Sequence, residues 1–217
     1  MTAAIRDAAL AKIIAANRII PVITIERVAD AVPLARALVA GGVSALEVTL
    51  RTPVAIEAAR AIVAEVPDAI VGLGTVTRPA DFDLAERIGA RFVISPGATP
   101  QLLAAAAQQG LPYLPGIATG SELMTALEAG FRTVKFFPAV PAGGIAAIRA
   151  LAGPFPDARF CPTGGISEAN AAEWLAVPGI VAVGGSWLAP ADLIKAGDWA
   201  GITAIAKRTL ARLPERA

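Results

Sequence analysis

Short apolar runs rich in β-branched residues alternate along the chain with longer stretches rich in Ala and Leu. Eight runs have strand character, in order RIIPVITI, SALEVTL, AIVGLGT, RFVIS, LPYLP, RTVKFFP, RFCPTGG and IVAVGG. The stretches between them, such as 31–40 and 54–64, repeat apolar residues at helical spacing, and Gly41, Gly89 and Gly130 stand where helices would end. This alternation predicts a parallel sheet built from βα units.

Eight strands that are each followed by a helix favour an α/β fold of the closed (β/α)8 type, a TIM barrel, here with an additional N-terminal helix. The length of 217 residues suits one such unit, so we predict a single barrel domain over residues 1–217. A doubly wound open sheet is the structural alternative, but the chain has no glycine-rich phosphate loop after its first apolar run.

One lysine interrupts the sixth apolar run, RTVKFFP. Alternate strand residues of a barrel point inward, so Lys135 and Phe137 share the inner face near the C-terminal mouth. The same parity places Glu47 inside on the second run, with Arg51 just beyond it, and Thr75 ends the third run. A buried pair of Lys135 and Glu47 that merely fills the barrel is one interpretation. We favour a catalytic role, because charged residues at these strand ends usually act on substrate.

Two glycine pairs follow the last two apolar runs. PTGGI contains Thr163, Gly164 and Gly165, and VGGSWL contains Gly185 and Ser186. The corresponding loops of many barrels bind phosphate through exposed backbone N–H groups. A single pair could be a simple turn, but two pairs in the two expected loops predict a phosphorylated substrate.

The chain contains no histidine and one cysteine, Cys161. This composition excludes Ser-His triads, histidine acid/base relays, histidine-ligated zinc and cysteine metal clusters, so we expect no metal site. Catalysis would then rest on Lys, Glu, Asp, Tyr, the single Cys or a cofactor. We interpret Cys161 itself as a small buried apolar residue.

The balance of charge, and the residues that interrupt the apolar stretches, indicate a small-molecule partner in the cytoplasm. With 19 basic and 18 acidic residues and no run of five like charges, we expect no nucleic-acid partner and no membrane association. Proline and glycine repeatedly interrupt the uncharged stretch 92–121, which argues against a membrane-spanning helix. Arg6, Asp7 and Lys12 fall where a signal peptide would need an unbroken apolar stretch.

Seven motifs in this order closely resemble the 2-keto-3-deoxy-6-phosphogluconate (KDPG) aldolase family: LEVTLRT, GLGTV, ISPG, PGIATGSEL, VKFFPA, CPTGGI and GGSWL. The likeness extends over nearly the whole chain. It implies a class I aldolase, an aldehyde-lyase that needs no cofactor and works in carbohydrate metabolism as a cytoplasmic homotrimer. The usual reaction of the family is the last step of the Entner-Doudoroff pathway, in which the phosphorylated keto acid is cleaved to pyruvate and glyceraldehyde 3-phosphate.

The resemblance also implies a role for each matching residue. Lys135 would form the Schiff base and Glu47 would move protons, while Arg51 and Thr75 would hold the pyruvate carboxylate. The remaining predicted site residues are Thr163, Phe137 and Pro96 around the C4 hydroxyl and pocket, and Gly164, Gly165, Gly185 and Ser186 around the phosphate.

One position departs from the family pattern, which commonly continues KFFPA with an acidic residue where Val140 and then Pro141 follow here. The change concerns the loop after the sixth strand and the tolerance for the aldehyde portion of the substrate, and it leaves the residues of the core chemistry unchanged. Four alternative functions stay open: a 2-keto-3-deoxy-6-phosphogalactonate aldolase, a 4-hydroxy-2-oxoglutarate aldolase, a phosphate-binding barrel enzyme that forms no Schiff base, and a non-catalytic barrel.

Overall fold

A computed structural model describes residues 3–214. The strands are β1 Ile19–Ile23, β2 Ala45–Thr49, β3 Ile70–Gly74, β4 Phe92–Ile94, β5 Tyr113–Leu114, β6 Gly116–Ile117, β7 Thr133–Phe136, β8 Arg159–Pro162 and β9 Val183–Gly185. The helices are α1 Ala3–Asn17, α2 Val28–Ala40, α3 Ala55–Glu65, α4 Ala80–Arg87, α5 Pro100–Gln108, α6 Gly120–Glu128, α7 Gly144–Ala152, α8 Ala171–Leu175, α9 Ala191–Ala196 and α10 Trp199–Ala211.

Parallel pairing joins the strands in the orders β5-β4-β3-β2-β1-β9 and β6-β7-β8. The fifth apolar run, LPYLP, forms β5, and β6 follows directly after Pro115, which has no N–H to donate to a ladder. Bridges from Phe160 to Ile180 and from Thr163 to Gly184 connect β8 to β9. Eight strand positions therefore close into a ring, and the predicted barrel with an additional N-terminal helix is confirmed. Its fifth position consists of two short strands, and the second, β6, lies beyond the run that the sequence predicts as a strand.

The core has two apolar layers. Val134 and Phe136 of β7 belong to the larger layer, which lies between the strands and the surrounding helices. A smaller cluster fills the lower barrel interior with Leu10, Ile14, Ile20, Phe92, Ile94, Leu114, Cys161 and Ala182. Since Leu10 and Ile14 belong to α1, this helix closes the N-terminal end of the barrel.

Polar contacts fasten α1 in that position. Arg6 donates from Nη1 to the carbonyl oxygens of Ala107 and Gln109 at 3.0 and 3.3 Å, and Asp7 accepts a bond from the Thr133 N–H at 3.3 Å. The bond between Asp7 and Thr133 ties α1 to the first residue of β7. Among residues 3–214, no helix has both the length and the apolar character needed to cross a bilayer.

Adding a single methyl group tests how closely the barrel interior is packed. A Cβ on Gly72 of β3 would overlap the ring of Phe92, which is fully buried on the neighbouring strand. We therefore expect Gly72→Ala to lower the free energy of unfolding by about 1–3 kcal/mol, as overpacked cores do. The urea midpoint, followed by circular dichroism, measures the change.

Gly110→Ala is the matched control, because a Cβ at Gly110 meets nothing within 4 Å. We expect its midpoint to stay close to that of the unmodified chain. Equal midpoints for the two variants would contradict the packing described for β3 and β4.

Candidate active site

Lys135 and Glu47 meet inside the upper half of the barrel. Lys135 lies on β7 and Glu47 on β2, and the lysine Nζ donates to Glu47 Oε1 at 3.2 Å. Their side chains are only 5% and 2% exposed. The two strands are not neighbours, so the bond crosses the interior of the ring. The structure thus places a nucleophilic amine and a carboxylate in one sheltered space near the C-terminal ends of the strands.

The surroundings of this pair are shaped to hold it. A Cβ on Gly74 of β3 would overlap the Glu47 carboxylate, so the absence of a side chain there provides the room that Glu47 occupies. On the other side, the Lys135 Nζ lies 5.3 Å from the centroid of the Phe137 ring, within range of a cation–π contact. Phe137 therefore packs beside the amine, as the sequence predicts.

Arg51 and Thr75 come together at the mouth. Arg51 is exposed just beyond β2, and its Nε donates to the Thr75 Oγ1 at 3.2 Å. Thr75 has φ +59, which is unusual for a β-branched residue. Hydrogen bonds from Leu50 N to Gly74 O at 2.9 Å and from Val76 N to Ile94 O at 3.1 Å hold the chain on both sides of it. This arrangement offers guanidinium and hydroxyl donors to an incoming carboxylate.

The two glycine loops lie side by side, because Thr163 and Gly184 form a bridge where β8 and β9 end. Thr163 is 6% exposed, Gly185 is buried and Ser186 is exposed. Within residues 3–214, the backbone N–H groups of Gly165, Ile166 and Ser186 make no hydrogen bond, whereas the bridge directs the Gly164 N–H toward the carbonyl oxygen of Gly184. These loops therefore carry free backbone donors of the kind that bind phosphate.

Pro96 follows β4 and packs against β6, since a Cβ on Gly116 would overlap the Pro96 backbone. Sequence reasoning missed the support beneath this contact. Ser95 Oγ accepts a bond from the Gly116 N–H at 3.3 Å and lies 2.6 Å from the hydroxyl oxygen of Tyr113. Gly116 is the register partner of Lys135, so this network fixes the strand beside the lysine. The ISPG motif contains Ser95, but no pattern in the sequence pairs it with Tyr113.

Two buried groups near the site stay neutral. Burial raises the pKa of the Tyr113 hydroxyl to about 12, against the opposing effect of its hydrogen bond with Ser95. Cys161 pairs in register with Lys135, and burial raises the pKa of its thiol to about 12 although the lysine charge opposes the shift. The thiol is therefore protonated at neutral pH and is a poor nucleophile. Among the residues described, no three His, Cys, Asp or Glu side chains cluster as metal ligands would.

A cavity of about 670 Å³ lies at the opposite, N-terminal end of the barrel, beside α1. Asp7, Arg18 and Arg159 line it together with mostly apolar residues. It contains neither Lys135 nor Glu47. The chemistry of the side chains, rather than the volume of empty space, therefore locates the candidate site at the C-terminal mouth.

Comparisons with known proteins agree with this geometry. The family model described as KDPG and KHG aldolase matches residues 10–205. The 2-dehydro-3-deoxy-phosphogluconate aldolase of Dickeya dadantii is 52% identical over 200 residues, which cover 92% of this chain and 94% of that protein. The KHG/KDPG aldolase of Escherichia coli K12 is 50% identical over 198 residues, covering 91% of this chain and 93% of the relative.

One similar solved structure contains a covalent reaction intermediate. The KDPG aldolase of Legionella pneumophila, with pyruvate captured as a covalent carbinolamine intermediate, matches with a TM-score of 0.90 and 47% identity. The match covers 92% of this chain and 97% of that one. The family match spans most of the chain and both curated relatives are at least 50% identical to it, so this chain belongs to the KDPG and KHG aldolase family.

Proposed function

We propose that this chain is a class I aldolase that cleaves 2-keto-3-deoxy-6-phosphogluconate to pyruvate and glyceraldehyde 3-phosphate. The observation that carries the proposal is the Lys135 amine, sheltered in the barrel 3.2 Å from the Glu47 carboxylate. An amine attacks a ketone only in its neutral form, and Glu47 is near enough to take the proton away. The carbinolamine captured in the Legionella relative supports this chemistry.

The first half of the reaction builds an electron sink. The neutral Lys135 nitrogen bonds to the C2 carbonyl carbon of the substrate, and one proton of that nitrogen moves to the carbonyl oxygen, which becomes the hydroxyl of a neutral carbinolamine. Glu47, now protonated, returns its proton to that hydroxyl, which leaves as water. A cationic iminium between Lys135 and C2 results.

The second half breaks the carbon–carbon bond. A base removes the proton from the C4 hydroxyl, the C3–C4 electrons move toward the iminium, and the aldehyde departs from a pyruvate enamine. Glu47 is placed to act as this base, directly or through a water molecule, because its Oε1 lies 3.2 Å from the lysine nitrogen. Protonation of the enamine at C3 and hydrolysis of the imine then release pyruvate and free Lys135.

The two ends of the substrate would be held by different kinds of donor. Arg51 and Thr75 would bind the carboxylate next to C2, and the buried Thr163 hydroxyl would orient the C4 hydroxyl. Phe137 and Pro96 would enclose the reacting carbons. The free N–H groups of the glycine loops, with the Ser186 hydroxyl, would bind the phosphate.

A second substrate, 4-hydroxy-2-oxoglutarate, fits the same machinery. Its reacting half is identical, and a carboxylate bonded directly to C4 replaces the two-carbon segment that carries the phosphate. The matched family model includes KHG aldolases, and one relative carries both names. We propose this cleavage, which yields pyruvate and glyoxylate, as a second activity of the same site.

Replacing the lysine tests the covalent step. We expect Lys135→Met to abolish cleavage, and we expect pyruvate with borohydride to add an irreversible mass to the Lys135 peptide of the unmodified chain only. The physical reason is that only an iminium is reduced to a stable amine. Peptide mass spectrometry and a coupled assay for pyruvate release measure the two effects.

Two further variants control this experiment. Lys207→Met removes an exposed lysine from α10, and we expect both readouts to stay unchanged. Lys135→Arg retains a cation beside Glu47, which avoids the cost of leaving a buried carboxylate alone, yet offers no amine for a Schiff base. Cleavage that persists in Lys135→Met would contradict the lysine assignment, and it would favour a barrel enzyme without covalent catalysis.

Glu47→Gln separates proton transfer from nucleophilic attack. The amide keeps the shape of the carboxylate but cannot accept a proton, so we expect kcat for cleavage to fall by roughly 10²–10⁴. Trapping of pyruvate with borohydride should slow but continue, because the lysine is still present. A cleavage rate equal to that of the unmodified chain would show that another group moves the protons.

We extend the proposal to a homotrimer in the cytoplasm, which the family resemblance implies. Light scattering on a sizing column should give three times the mass of the 22.0 kDa chain. A mass of one chain at assay concentration would contradict the trimer and leave the chemistry of the single barrel as proposed.

A further inference from the structure

We propose that Asn170 is a positioning residue for the anion site, because it fixes the orientation of the peptide between Gly165 and Ile166. The residue lies immediately before α8, below the glycine loop. This inference rests on the proposed binding of a phosphate by the loop that follows β8. It concerns how the loop is held in a conformation that binds an anion.

Three consecutive carbonyl oxygens of this loop accept hydrogen bonds from fixed donors. The oxygen of Thr163 accepts from the Ala139 N–H at 2.8 Å, and the oxygen of Gly164 accepts from the Val140 N–H at 3.0 Å. The oxygen of Gly165 accepts from Asn170 Nδ2 at 3.3 Å. All three carbonyl oxygens are thereby turned toward protein groups.

The planarity of the peptide bond converts these three bonds into an arrangement of donors. In a trans peptide the C=O of one residue and the N–H of the next point in opposite directions. Holding the oxygens of residues 163, 164 and 165 therefore directs the N–H groups of Gly164, Gly165 and Ile166 away from the donors. The N–H groups of Gly165 and Ile166 have no hydrogen-bond partner in residues 3–214, and the Gly164 N–H faces the Gly184 carbonyl oxygen across the bridge between β8 and β9.

This geometry also identifies the side on which an anion would bind. Ala139 and Val140 follow β7, so the N–H groups of Gly164 and Gly165 point away from β7. The opposite neighbour of β8 is β9, which Thr163 meets at Gly184. The donors thus face the second glycine loop, whose Ser186 N–H is also free within the described part of the chain.

Left-handed glycines make such a loop able to flip. Gly164 and Gly165 have φ +104 and +80, which glycine adopts without steric cost, so their peptides have little intrinsic preference for one orientation. A flipped peptide would present a carbonyl oxygen to the phosphate instead of an N–H. Fixed hydrogen bonds to the oxygens are therefore needed to keep the donors in place.

Two of the three donors are backbone groups, and the third is a side chain. Val140 adds to the support, because a Cβ on Gly165 would lie 2.6 Å from its Cγ2, so loop and side chain are in close contact. Asn170 also accepts a bond from the Ser167 N–H at Oδ1, at 2.8 Å. Since one end of the amide must accept and the other must donate, these two bonds fix its orientation, and Nδ2 faces Gly165.

Asn170→Ala removes the side-chain donor and replaces no residue that is proposed to contact the substrate. We expect the KM for the phosphorylated substrate to rise about tenfold with little change in kcat, because a binding interaction that does not change during the reaction is lost. The Kd for inorganic phosphate, measured by calorimetry, should rise by a similar factor. The rate at which pyruvate is trapped with borohydride should stay within about twofold, because pyruvate has no phosphate.

Asn170→Asp provides a second variant that keeps the acceptor for Ser167 but places an oxygen against the Gly165 carbonyl. We expect its phosphate Kd to rise at least as much as that of Asn170→Ala. Ala169→Ser alters an exposed neighbour in the same loop and should leave the Kd unchanged. Thermal unfolding of all three variants shows whether each is folded at the assay temperature.

Two results would overturn the inference. One is a phosphate Kd for folded Asn170→Ala and Asn170→Asp within twofold of the unmodified chain. The other is an equal loss of pyruvate trapping and phosphate affinity, which indicates a general structural role. Because phosphate binding is measured without turnover, this test holds even if the unmodified chain traps no pyruvate, a result that would contradict the proposed function alone.

Discussion

The ion pair between Lys135 and Glu47 is the interaction on which the rest of the mouth depends. Either charge alone would cost several kcal/mol to remove from water, and the two are tolerated because each offsets the desolvation of the other. Moving one proton from the amine to the carboxylate produces a neutral pair, so the nucleophile forms without leaving an unpaired charge in the barrel. The neighbouring strand provides the space, because Gly74 has no side chain where the Glu47 carboxylate lies.

The lower half of the barrel makes this arrangement possible by being apolar and closed. Leu10 and Ile14 of α1 join Phe92 and Leu114 in the interior cluster, so the N-terminal end of the ring is sealed. Water and substrate then reach the ion pair from the C-terminal mouth. The tyrosine and the cysteine near the site also stay neutral, because Cys161 is buried in this interior cluster and Tyr113 in the outer apolar layer, and burial disfavours their charged forms.

Most of this fold could be predicted from the sequence, because strands, helices and turns follow local residue patterns. Strand parity alone placed Lys135 and Glu47 on inner faces, and glycines after the last two strands marked two adjacent loops. The break between β5 and β6 falls at Pro115. The support of β6 is different, because Ser95 accepts from the Gly116 N–H and contacts the Tyr113 hydroxyl, and no local pattern encodes these contacts between strands.

Two further features near the site escaped prediction because they depend on backbone orientation. Asn170 is an ordinary residue before a short helix until its amide is seen to bridge the Ser167 N–H and the Gly165 carbonyl. Thr75 is an ordinary strand-end threonine until its φ of +59 is known. Neither residue type is diagnostic of such a conformation, so the sequence could name Thr75 as a ligand but could not give its geometry.

The strained threonine also explains why the two proposed anion sites are built differently. A non-glycine residue in the left-handed region costs of order 1–3 kcal/mol, and such residues persist only where neighbouring bonds fix them. Here bonds on both sides of Thr75 hold the chain, and the hydroxyl accepts from Arg51. In the proposed reaction the substrate carboxylate adjoins the reacting carbon, so the direction of its donors would control the angle at which Lys135 attacks, and side chains on a fixed backbone control direction well. The substrate phosphate would lie far from the bond that breaks, where a loop of backbone donors suffices as long as its peptides do not flip.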